Sequence, residues 1–135
     1  MSTVPSIAIS GMVAATRRLE ASARNVANLR SGGPLPTADA AVSAGFAAYV
    51  PVRVDQVETA GGGTYANVSS VSPGYTTAYE PTAPYADANG MVAMPNVDLG
   101  NEAVQQMIAR YTFAANVEVL RTHSQMMKSV LDIKT

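Results

Sequence analysis

From Asp98 to Ile133 the chain carries no proline and a single glycine, Gly100, near the start of the stretch. So long an unbroken run commits this part of the sequence to one helix, roughly 50 Å long at 1.5 Å per residue. Asp98 is placed to cap its first turn, and Glu102 puts negative charge where the helix dipole favours it. Phe113, Val117, Leu120, Ser124, Met127 and Leu131 recur at alternating four- and three-residue spacing and form one stripe. Ile108, Ala115, Val119, Met126 and Val130 form a second stripe beside it. The two together make an apolar face wider than one partner helix covers, so apolar surface is expected to be left over for other subunits.

A shorter helix is predicted near the other end, from Ile7 to Leu29, with Ser6 as its cap and Gly32, Gly33 and Pro34 as its stop. Ile9, Met12, Thr16, Leu19, Ala23 and Val26 fall on a coiled-coil seam. Thr16 and Ala23 bury little and Gly11 weakens the helix by about 1 kcal/mol relative to alanine, so this helix needs a partner to be stable.

The middle follows a different period. Residues 32–45 are rich in Gly, Pro, Ala and Ser without periodicity and read as a flexible loop. Val50, Val52 and Val54 alternate with Pro51, Arg53 and Asp55, the pattern of a half-buried edge strand. Gly61 to Gly63 reverse the chain into a second strand over about Thr64 to Val71. Pro73-Gly74 marks a turn, Tyr75 to Tyr79 a third strand, and Asn89-Gly90 a turn into the apolar run Met91 to Met94. The predicted class is α+β. Residues 1–31 form an N-terminal helical part, 32–45 the loop, 46–97 a small β-hairpin module, and 98–135 the C-terminal helix.

Chemistry-bearing constellations are not expected. With no cysteine there is no disulfide or thiolate metal site, and His123 has no second histidine with which to share a metal. The carboxylates Asp55, Glu58, Glu80, Asp87 and Asp98 are scattered, so acid–base catalysis has no support. The triple glycine lacks the Lys and Ser/Thr that complete a phosphate loop, so it is read as a hairpin turn. A net charge of −1 argues against nucleic acid. No apolar run reaches transmembrane length. Arg17 and Arg18 follow the first apolar stretch, so no cleaved secretory signal is expected. An enzyme, a catalytic site, a metal and a cofactor are all excluded on this reading. Asn25 and Asn28 have two balanced readings, caps of the first helix or bonds to a neighbour's backbone.

Two segments carry more than periodicity. Ala21-Ser22-Ala23-Arg24-Asn25-Val26-Ala27-Asn28-Leu29-Arg30-Ser31 resembles the N-terminal signature of flagellar rod, hook and hook-associated proteins. The run Asp87-Ala88-Asn89-Gly90 through Met94-Pro95-Asn96-Val97-Asp98, followed by Ala115-Asn116-Val117-Glu118-Val119-Leu120 and Met126-Met127-Lys128, resembles their C-terminal signature, most nearly in the C type of proximal rod subunit. In that likeness Asn25, Ala27, Asn28, Met94, Pro95, Asn96, Val97, Asp98, Asn116 and Glu118 are signature positions.

The resemblance implies a structural rod subunit. Its terminal helices would pair as an antiparallel coiled coil lining a shaft, with the β module outside. Export would run unfolded through the flagellar type III apparatus, into a periplasm-spanning rod. Its partners would be copies of itself, other rod proteins, the basal-body ring and the export apparatus. The residues expected to pack subunits together are Ile9, Met12, Leu19, Val26, Ile108, Phe113, Val117, Val119, Leu120, Met126, Met127, Val130 and Leu131. A sibling axial protein is the nearest alternative. A soluble binding module with an amphipathic N-terminal helix is the other, although that helix lacks the aromatic anchors of an interfacial one.

Overall fold

A computed structural model describes residues 4–36 and 47–133. Two helices, α1 (Val4–Ala27) and α2 (Leu99–Asp132), flank four strands: β1 (Val52–Glu58), β2 (Thr64–Ser70), β3 (Tyr75–Tyr79) and β4 (Met91–Pro95). β1 pairs antiparallel with β2, and β3 with β4, as two separate two-stranded sheets. The α+β class and the order of elements follow the sequence reading.

Local signals account for the element ends. The Asp98 side chain accepts the amide N–H groups of Gly100 at 2.8 Å and Asn101 at 3.4 Å, opening α2 as expected. Ser6 lies inside α1 instead of capping it, because Pro5 is tolerated in a first helical turn. Asn28 closes α1: its side-chain amide donates to the Arg24 carbonyl at 2.9 Å. Gly61, Gly62 and Gly63 have φ of 103°, 92° and 99°, which side-chain-bearing residues rarely adopt, so this reversal needs glycine. The Asp87 carboxylate accepts the N–H groups of Asn89 and Met91, both at 2.8 Å, and shapes the turn at Gly90.

The start of the predicted loop is anchored. Gly33 and Ala93 exchange two backbone hydrogen bonds of 2.9 Å, extending β4 by one bridge. Residues 37–45 of that loop lie outside the described residues.

The main correction concerns which face of α1 turns inward. Ala8, Ala14, Ala15, Ala21, Ser22 and Asn25 are buried, while Ile9, Leu19 and Val26 are 49%, 47% and 38% exposed. The inward line, Ala8, Ala15, Ser22 and Asn25 with half-buried Gly11 and Arg18, sits one residue before the expected seam, a rotation of about 100°. On α2 the inward positions are Glu102, Ala109, Thr112, Asn116 and Leu120, whereas Phe113 and Val117 are exposed. Of the first α2 stripe, only Leu120 also lies on the inward line. Close approach explains the shift. A Cβ on Gly11 would come within 2.7 Å of the Asn116 side chain, so the helices meet through small residues where larger ones cannot fit.

Candidate assembly interface

Contacts between the helices run in opposite chain order. Asn25 meets Glu102, Ser22 meets Gln106, and Gly11 lies under Asn116. By that register Val4 comes level with about His123. Residues 124–132 of α2, about 14 Å of helix, therefore have no described helix beside them.

At the opposite end the helix pair carries a buried polar node. Asn25 donates to the Val52 carbonyl and to Glu102 Oε1, each at 2.7 Å. Its Oδ1 accepts the Val52 N–H at 2.9 Å and the Tyr49 hydroxyl at 3.0 Å. Ser22 donates to the Glu102 carbonyl at 3.2 Å and accepts Gln106 Nε2 at 3.1 Å. Asn25 and Ser22 are each 2% exposed, so these bonds form largely away from solvent. Burial pushes the Tyr49 hydroxyl above its ordinary pKa of 10.0; Arg24 opposes the shift and Glu102 adds to it.

Within the chain, Asn25 anchors β1, a role that neither sequence reading included, and Asn28 caps α1. Sequence reasoning missed Tyr49, Ser22 and Glu102 as partners. The available signal was a polar residue on an otherwise small-residue line.

A second anchor lies near the start of α1. Ser10 Oγ donates to the Ile7 carbonyl at 2.7 Å and accepts the Thr64 N–H at 3.1 Å. A Cβ on Gly63 would lie 2.8 Å from that oxygen, so the glycine tip rests directly on the helix.

The remaining signature residues shape the joints. Ala27 is the last residue of α1. Met94 packs over Gly32, and Pro95 is buried at the end of β4. Asn96 donates its side-chain amide to the Pro73 carbonyl at 3.0 Å, and Val97 leads into the Asp98 cap. Asn116 donates to the Thr112 carbonyl at 2.8 Å, and Glu118 pairs with Arg121 at 3.2 Å on the surface.

Of the residues expected to pack subunits, Ile9, Leu19, Val26, Ile108, Phe113, Val117, Val119, Met126, Met127, Val130 and Leu131 are exposed. Met12 and Leu120 are half-buried, as is His123. No described helix is long and apolar enough to cross a membrane.

Residues 88–133 match a family model described as the C-terminal part of flagellar basal-body rod FlgEFG proteins. Over 134 residues the chain is 37% identical to the flagellar basal-body rod protein FlgC of Salmonella typhimurium, covering 94% of this chain and 92% of that protein. The chain belongs to the FlgC family of basal-body rod proteins. FlgC of Escherichia coli O157:H7 is 37% identical over 128 residues, with 94% and 92% of the two chains covered. FlgC of Agrobacterium fabrum is 32% identical over 138 residues, with 98% and 94% covered. As a member of the FlgC family the chain is a structural protein of the flagellar basal-body rod and not an enzyme. The FlgC likeness spans both helices and the module between them, so the buried node and the exposed stripes both fall within it.

Proposed function

We propose that this chain is a subunit of the proximal rod, the drive shaft of the basal body, and that it assembles with copies of itself and with other rod proteins through both terminal helices. In the assembled shaft α1 and α2 wind as an antiparallel coiled coil on the inner side, and the β module lies further out. The chain reaches the periplasm-spanning rod by type III export without a cleaved signal, and meets the basal-body ring and the export apparatus there.

The observation that carries this reading is apolar surface at helical spacing. Ile108, Val119, Met126 and Val130 on α2 are 39%, 45%, 56% and 60% exposed. An isolated small protein gains nothing from such stripes, whereas a stacked one buries them.

Val119→Glu tests it. Val119 is off the inward line, so the variant keeps the fold and its circular dichroism. It is expected to be missing from isolated basal bodies and to fail to restore motility. Normal incorporation would remove the second stripe from the interface.

A further inference from the structure

The stripe Ile9, Met12, Thr16 and Leu19 keeps coiled-coil spacing, yet the inward rotation of α1 leaves it only partly covered by α2, with Ile9 and Leu19 49% and 47% exposed. It forms one wall of a trough. The other wall is α2, where Met107 and Phe113 stand over a floor of Ala15 and Ala109. This hollow has a volume of about 690 Å³. Past Thr16 and Phe113 it continues into a further hollow of about 340 Å³ beside Ile9 and Met12. From Ile9 to Leu19 the trough is about 15 Å long.

Among the described residues, the free end of α2 matches the trough in size and character. The α2 overhang, residues 124–132, is about 14 Å long and exposes Met126, Met127, Val130 and Leu131 at 50–65%. We propose that the trough receives this overhang from a second copy of the chain, a contact that rests on the assembly reading above and gives it a donor and an acceptor surface. Thioether side chains adapt to such a groove.

Charge sets the direction. Glu20 and Arg17 lie on the trough rim, one residue beyond Leu19 and Thr16, where they form an exposed ion pair of 3.9 Å; Arg110 lines the α2 wall. Lys128 lies one residue beyond Met127. An overhang running opposite to α1 brings Lys128 to Glu20; the reverse direction brings it against Arg17, a like charge. Within one chain Leu19 is level with about residue 108, roughly 28 Å from Met127 along the helix axis. Donor and acceptor are thus different patches, so the contact is heterologous and continues head to tail instead of closing as a symmetric pair.

The chain has no cysteine, which makes the contact addressable. A Leu19→Cys, Met127→Cys double variant cannot form the bond within one chain, because a disulfide needs Cα atoms within about 7 Å. Oxidising the purified double variant at rising concentration is expected to give a ladder of dimers, trimers and longer species, while each single variant stops at dimers. Adding Glu20→Lys is expected to lower the ladder yield about threefold, and adding Lys128→Glu to restore it.

Two results overturn the proposal: no species above dimer from a double variant with wild-type circular dichroism, or a Glu20→Lys loss that Lys128→Glu fails to reverse. In isolated basal bodies, cross-linking to a different rod protein would refute a second copy as the occupant while leaving the rod assignment intact. Absence of the unaltered chain from those basal bodies would refute the assignment itself.

Discussion

Replacing Asn25 by alanine removes four hydrogen bonds at one buried point: two to the backbone of Val52, one to Glu102 and one from Tyr49. A neutral bond contributes about 1 kcal/mol net, and one to a carboxylate about 2. Water entering the polar cleft beside Val52 and Glu102, about 460 Å³ in volume, re-pairs part of what is lost. The expected destabilisation is about 3–4 kcal/mol, a large share of the roughly 5–15 kcal/mol that holds a domain together. In urea unfolding followed by circular dichroism, that lowers the midpoint by about 2 M at a slope of about 2 kcal/mol per M. Asn28→Ala, which loses two exposed bonds, one to the Arg24 carbonyl and one from Ser31 Oγ, serves as the control at about 1 kcal/mol. If the two variants unfold at the same urea concentration, Asn25 is not the anchor described, and the signature asparagines act only between subunits.

Gly11→Ala is expected to destabilise the chain, because its methyl group meets Asn116. In an Asn116→Ala background the same change is expected to stabilise by up to about 1 kcal/mol through helix propensity; thermal melts of the four proteins check the reversal of sign. Tyr49 has a raised pKa in the folded state, so its contribution is complete below pH 10.0 and is lost as pH rises through the folded value. Wild type is therefore expected to lose more stability than Tyr49→Phe in alkaline urea titrations, and parallel losses would exclude Tyr49 as the cause.

The element order was legible because each boundary has a local chemical mark: Asp98 before α2, three glycines between β1 and β2, Asn89-Gly90 before β4. The inward faces were not. Periodicity ranks a face by apolar bulk, so it selected Ile9, Met12, Leu19 and Val26. The contact within the chain is instead set by how near the helix axes come, which favours Ala8, Gly11 and Ala15. The line that turns inward runs one residue before the expected seam, because close approach of the axes rather than apolar bulk selects it. Asn25 was legible as a signature and illegible as an anchor, because its partners, Tyr49, Val52 and Glu102, are 24, 27 and 77 residues away.

The β1–β2 hairpin is fastened to α1 at two points, Val52 on Asn25 and Thr64 on Ser10. The spacing of these fastenings agrees on both elements: fifteen helical residues from Ser10 to Asn25 rise about 22 Å, and the strand from Val52 to Glu58, which faces Thr64, rises about 20 Å. Bolted at both ends, the hairpin acts as a splint. Two slender cylinders side by side bend readily out of their common plane; a third member offset from that plane raises the cross-section's resistance to bending and torsion. Load reaching the helices as torque is then carried partly as shear along the strand, between a serine at one end and an asparagine at the other.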